Sequence, residues 1–154
     1  MAAKIGIISD THGLLRPEVM EILKECKYIL HAGDVTEPEI LDQLRVLGAL
    51  YAVQGNNDRN WQRPLAKNLW FEIEGIRFFM VHNKKDVAWD LKDRQVIVFG
   101  HSHHYFQEII DGRLWLNPGS CGRPRFGGAV TMSVMNVENG SYQVEKIVIP
   151  TVAI

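Results

Sequence analysis

The sequence predicts an α/β fold in which two β-sheets pack face to face with helices outside them. Two patterns carry that prediction. The first part of the chain alternates strand and helix signals, and the second part carries antiparallel hairpin signals. Polar residues collect just after the apolar strands, where folds of this class place their ligands.

The elements follow in order. Residues 4–9 form a β-branched run, read as a buried strand. Pro17 suits a first helical position, and Val19, Met20, Ile22 and Leu23 recur behind it at helical spacing. Residues 28–31 give a second short strand. Pro38 opens another helix, with Ile40, Leu41, Leu44 and Leu47 on one face and Gly48 as its stop. Residues 50–53 give a third strand, so the start reads βαβαβ, with parallel pairing and right-handed crossovers. Residues 69–73 and 76–82 flank Glu74-Gly75 as a hairpin. A short helix over residues 87–92 and a strand over 96–99 come next. Asp111-Gly112 and Asn139-Gly140 mark two further hairpin turns. Residues 118–128 are rich in Gly, Pro and Arg and read as a functional loop.

Composition sets limits. A length of 154 residues suits one domain spanning 1–154, and 46% hydrophobic against 23% charged residues allows a core and a hydrated surface. A net charge of −1 argues against a broad DNA-coating surface. Cys26 and Cys121 are too few for a disulfide scaffold and fit a reducing compartment. The apolar start turns polar at Ser9, and no run approaches the ~20 apolar residues of a membrane span. The expectation is a soluble cytoplasmic protein.

Asp10-Thr11-His12 follows the first predicted strand, Gly33-Asp34 the second, and Gly55-Asn56-Asn57-Asp58 the third. His82 ends the hairpin strand, and Gly100-His101-Ser102-His103 ends a later one. These tips can converge on one edge of the sheets. Asp, Asn and His without Cys suit Mn, Fe, Zn or Ni, whereas Mg or Ca would bring fewer imidazoles. Asp10 and His12 flank one residue, so in an extended segment they point to one side, as do His101 and His103. Taken alone, Asp10 and His12 also fit a capping turn, and Asn56-Asn57 fits a plain turn. Asp58 reads as structural, holding its loop through side-chain to backbone bonds.

In this order, the set resembles the calcineurin-like metallophosphoesterases. The short length and Asn117-Pro118-Gly119-Ser120 narrow the resemblance to the small bacterial and archaeal phosphodiesterases that share their fold with the retromer subunit Vps29. It covers residues 4 to about 148. The resemblance implies a four-layer α/β sandwich of two mixed sheets flanked by helices. It implies one divalent ion on Asp10, His12, Asp34 and His103, and another on Asp34, Asn56, His82 and His101, with Asp34 bridging. Mn leads as the metal, with Fe, Zn, Ni or Mg as alternatives. Two such ions, roughly 3.5–4 Å apart, share and acidify a water, whose hydroxide attacks phosphorus in line. Asp34, Asn56 and Asn57 are the catalytic candidates.

Two positions depart from the family pattern. Larger members carry a histidine, the candidate general acid, where this chain has Asn57, and the small group commonly lacks it too. Many members have His-Gly where this chain has His82-Asn83. Without an acid at 57, the expected substrates are small phosphate esters with activated leaving groups, diesters over monoesters. A Vps29-like scaffold and a small nuclease are the alternatives. Oligomeric state stays open.

The remaining residues have plainer readings. His31 is a satisfied core histidine, His104 is exposed, and Cys121 is a small packing residue. Arg59, Arg123 and Arg125 divide between phosphate contact and solvated surface. Trp61, Trp70, Trp89 and Trp115 are core or edge packing, and any exposed one could stack on a base.

Overall fold

The computed structural model describes residues 2–58, 61–62, 64–123 and 128–151. Strand β1 (Ala3–Ile8), helix α1 (Pro17–Leu23), β2 (Tyr28–His31), α2 (Pro38–Leu47) and β3 (Ala49–Ala52) form the βαβαβ start. Strands β4 (Asn68–Ile73), β5 (Ile76–Val81), β6 (Val96–Val98), β7 (Phe106–Ile110), β8 (Arg113–Asn117), β9 (Val130–Glu138) and β10 (Ser141–Ile149) follow. One sheet has the order β10-β9-β1-β2-β3 and the other β4-β5-β6-β8-β7. Both are mixed. β1, β2 and β3 pair in parallel, as do β5, β6 and β8, while β9, β10, β4 and β7 pair antiparallel.

Side-chain alternation sorts the strands into faces. Ile5, Ile7, Leu30, Met135 and Val137 meet Phe78, Met80, Val96, Val98, Leu114 and Leu116 in the core between the sheets. Ile8, Ile29, Met132 and Val134 face the other way, against Val19 and Leu23 of α1 and Ile40, Leu41 and Leu44 of α2. On the second sheet, Phe79, Val81 and Ile97 point outward and are covered by Val87, Ala88 and Leu91. The result is the expected sandwich.

That outer cover corrects one expectation. Residues 87–92 form no helix. A 3-10 turn occupies Lys84–Asp86, and an irregular stretch follows. Six residues cannot meet the cost of helix nucleation unaided. Here the Asp90 carboxylate accepts the Lys92 N–H at 2.9 Å, a local turn that competes with the helix, and Lys92 sits at φ 51°.

The hairpins keep the predicted turns. Glu74-Gly75, Asp111-Gly112 and Asn139-Gly140 all have positive φ at both positions, the type I′ geometry that matches strand twist. Register pairs Ile73 with Ile76, Ile110 with Arg113, and Glu138 with Ser141. Among the described residues no helix is long and apolar enough to cross a membrane.

Candidate metal centre

Parallel pairing brings the carboxyl ends of β1, β2 and β3 to one edge and those of β5, β6 and β8 beside them. Backbone bonds then lace the loops together. Asp10 N–H donates to Gly33 O at 2.9 Å, His12 N–H to Asp34 O at 3.0 Å, and Gly100 N–H to His82 O at 2.9 Å.

Asp10, His12, Asp34, His101 and His103 all have positive φ, between 46° and 73°. This conformation is uncommon outside glycine and costs of order 1–3 kcal/mol per residue. Asp10 and His12 therefore reach one site through left-handed turns, not from the extended segment their spacing suggested. Glycines supply the close approaches. A Cβ on Gly55 would run into the backbone N and carboxylate of Asp34, and one on Gly100 into the Ser9 hydroxyl.

Two carboxylate oxygens lie among three imidazoles. Asp10 Oδ1 is 3.8 Å from His12 Nε2, 3.8 Å from His82 Nε2 and 3.5 Å from His103 Nε2. Asp34 Oδ2 is 3.5 Å from His12 Nε2 and 3.4 Å from His82 Nε2. Asp10, His12 and His103 offer ligand atoms within 4.8 Å of one another, and so do Asp10, Asp34 and His82. Asp10 Oδ1, His12 Nε2 and His82 Nε2 are buried and make no hydrogen bond. Unsatisfied polar atoms of this kind are costly, and a cation among them would relieve all three.

Further hydrogen bonds hold Asp10, Asp34 and His82. Asp10 Oδ2 accepts the Ser9 hydroxyl at 2.8 Å and the His101 N–H at 3.1 Å. His82 Nδ1 lies 2.7 Å from Ala32 O and donates to it, which leaves Nε2 of the neutral ring bare toward the cluster. Asn57 donates twice to Asp34, from its backbone N at 3.0 Å and its Nδ2 at 3.2 Å. Burial opposes ionisation of Asp34, but the His82 ring and Asn57 N–H outweigh it and hold the carboxyl well below the usual range. Burial likewise pulls His82 down, but Asp34 and Asp10 prevail and raise it above an ordinary histidine.

Asn56 and His101 are placed differently. Asn56 is exposed in a cleft that it shares with His82. His101 is exposed, and its ring meets that of His82 edge-on at 5.2 Å.

Several residues brace the site from outside. The buried Asp58 carboxylate accepts backbone N–H groups from Asp34, Val35, Thr36 and Gly55. Asn117 donates to Gly100 O and Ser102 Oγ at 3.1 Å each, and Ser120 Oγ donates to Asp10 O at 2.9 Å. The bracing roles of Asn117 and Ser120 were missed in sequence. Their signal was the Asn117-Pro118-Gly119-Ser120 motif, which carried the resemblance but not the bonds these side chains make. His31 is fully buried, accepts the Gly33 N–H at Nδ1 and donates from Nε2 to Thr11 Oγ1. Burial lowers it to about 4, so it stays neutral. Cys121 is buried and its thiol is pushed up to about 12, a packing residue. His104 and Arg123 are exposed, as are Trp70 and Trp89. Arg59 and Arg125 lie outside the described residues.

The model of the calcineurin-like phosphoesterase superfamily domain matches residues 3–140. The chain belongs to the calcineurin-like phosphoesterase superfamily. Within it, a probable metallophosphoesterase of Methanothermobacter thermautotrophicus is 36% identical over 135 residues, 79% of this chain and 78% of that one. A phosphodiesterase of Methanocaldococcus jannaschii is 25% identical over 162 residues, 91% of this chain and 96% of that one. Among solved structures, an archaeal phosphodiesterase superposes with a TM-score of 0.72 at 25% identity, covering 95% of this chain and 99% of that one. Vps29 of Chaetomium thermophilum superposes at 0.76 and 17% identity, covering 96% and 95%, which shows the shared fold. Membership in this metallophosphoesterase superfamily implies divalent metal ions, and the Asp/His cluster supplies a fitting donor set.

Proposed function

We propose that the protein is a two-metal phosphodiesterase. The observation that carries this reading is the set of buried Asp10, His12 and His82 atoms that converge without hydrogen bonds. A protein-binding scaffold has no use for donors left in that state. Asp10, His12, Asp34 and His103 would hold one ion, and Asp34, Asn56, His82 and His101 the other, with Mn the leading metal. When bound, such a pair supplies an acidified water and neutralises phosphate oxygens.

The chain's own residues do the positioning. Asn57 fixes the carboxylate that both sites share. Ser9 and the His101 N–H turn Asp10 so that Oδ1 faces inward. Ala32 O sets the His82 tautomer. Asn57 has no proton to give at neutral pH, so esters with good leaving groups are favoured. A diester brings less negative charge than a monoester to a site holding two carboxylates. A cytoplasmic setting belongs to the same reading.

The test is a metal-supplemented screen of matched aryl and alkyl monoesters and diesters, with elemental analysis of the same sample. The expected result is about two ions per chain, aryl diesters cleaved fastest, chelation abolishing turnover and Mn²⁺ restoring it. A protein that holds no divalent ion and is activated by none refutes the reading.

A further inference from the structure

Two clefts of unlike chemistry flank the cluster. The first, about 350 Å³, includes His82 and Asn56 and is walled by Gln54, Lys67, Asn68 and Asp86. Its amides offer donors and acceptors together, which matches hydroxyl groups, and its charges have both signs. The second, about 250 Å³, includes Gly100 and His101 and is walled by the rings of Phe99, Tyr105 and Phe106. The Lys84 ammonium lies 5.8 Å from the Phe99 ring centroid, 5.2 Å from Phe106 and 5.9 Å from Trp115, so one cation is already seated on this aromatic wall.

Asn83 lines both clefts. Its Oδ1 accepts the Lys85 N–H at 3.1 Å, which fixes it at the boundary. The His82 ring borders one cleft and the His101 ring the other, and the two rings touch edge to face. A phosphate held by the candidate ligands thus lies next to both clefts.

We propose that the substrate is a phosphodiester with unlike arms: a hydroxylated, polyol-like arm in the amide-lined cleft, and a flat aromatic ring, aryl or nucleobase, against Phe99, Tyr105 and Phe106. This rests on the phosphodiesterase reading and narrows it to a substrate class. Two aromatic arms would leave the amide groups of the first cleft without partners. Two polar arms would leave the apolar lining of the second cleft uncovered, forfeiting its burial.

Three p-nitrophenyl diesters that differ only in the second arm (methyl, glyceryl or phenyl) test it. The glyceryl ester should have a KM roughly 5-fold below the methyl ester, the return of about one hydrogen bond, and the phenyl ester should gain nothing. Asn68→Ala should bring the glyceryl KM up to the methyl value and leave the methyl ester unchanged. Phe106→Leu, which keeps bulk but loses the ring face, should raise KM for all three by roughly 5-fold with little change in kcat. A phenyl ester that binds as well as the glyceryl ester overturns the assignment, and so does an Asn68→Ala variant that shifts all three esters alike or a Phe106→Leu variant that shifts none.

Binding is read separately by NMR titration of the Mg²⁺-loaded protein with phenylphosphonate, glycerol 1-phosphate and thymidine 5′-phosphate. The phenyl ring should perturb the Tyr105 and Phe106 amides, and the glyceryl group those of Asn56 and Asn68. Thymidine perturbing Tyr105 and Phe106 identifies a nucleobase site, and phenyl alone an aryl site. If no ester is cleaved, the phosphodiesterase reading fails, and the titration still decides the clefts: rings and glyceryl groups perturbing the same amides overturn the proposal.

Discussion

Replacing Asp58 by alanine removes a fully buried carboxylate that accepts four backbone hydrogen bonds. Oδ2 takes Asp34 N at 2.8 Å, Gly55 N at 2.9 Å and Val35 N at 3.2 Å, and Oδ1 takes Thr36 N at 2.7 Å. A hydrogen bond to an ionised acceptor is worth roughly 1.5–3 kcal/mol. The four do not add, because three share one oxygen and water can enter the space left behind. A loss of about 3–5 kcal/mol follows, the range for breaking a buried charged pairing. For a chain of this size that lowers the thermal midpoint by roughly 10–15 °C. Asp58→Asn separates the two oxygens. With its amide oxygen at the Oδ2 position, three donors stay paired and only Thr36 N–H faces the NH₂ group, so the asparagine variant should lose about half as much. Urea unfolding of the metal-free protein, with m-values checked for constancy, measures both. An alanine variant within about 1 kcal/mol of the wild type, or an asparagine variant as damaged as alanine, shows that Asp58 does not tie the loops.

Asp34→Ala should strip both ions, and His103→Ala should weaken mainly one; elemental analysis after desalting gives the ratio, and an Asp34→Ala protein that keeps both ions removes Asp34 from the bridging position. Gly100→Ala should lower metal affinity roughly 10–100-fold while the fold persists, because the added methyl displaces the Ser9 hydroxyl that orients Asp10; unchanged affinity by competition with a chelating dye would count against that brace. His31 titrates near 4 folded and near 6.5 unfolded, so between those values the unfolded chain binds more protons, and stability should fall as pH drops through that window, by roughly 3 kcal/mol for this residue. His31→Phe should flatten that slope in urea melts taken from pH 7 to 4, and a slope unchanged in the variant assigns the effect to another group.

Much of the fold was legible because its signals are local. The three hairpin turns are spelled by Glu74-Gly75, Asp111-Gly112 and Asn139-Gly140, and the β-branched run at 4–9 reads directly as the buried strand β1. The stretch at 87–92 was misread because apolar Val87, Ala88 and Leu91 fit a helix as well as they fit a cap on the second sheet. Only the sheet beneath decides, and it lies far off in sequence. The candidate ligands were legible as residue types at strand ends. Their left-handed backbone was not, since nothing in Asp-Thr-His spells positive φ for a non-glycine residue. The supports of Asn117 and Ser120 act across 17 and 110 residues, a reach no local pattern reveals.

Asn57 joins the sequence argument to the geometry. As sequence it is defined by a lack, an amide where larger relatives carry a candidate acid. In the structure its amide and its backbone N–H both donate to Asp34, the carboxylate between His12 and His82. Those donations help hold Asp34 ionised despite its burial, which is the state a shared ligand must keep. An imidazole at 57 would offer a proton, but it could not also place a side-chain amide on Asp34. The chain therefore gains a firmly oriented carboxylate at the proposed bridging position and loses a proton donor through one residue. The expected preference for activated leaving groups is then the chemical consequence of how the metal site itself is held.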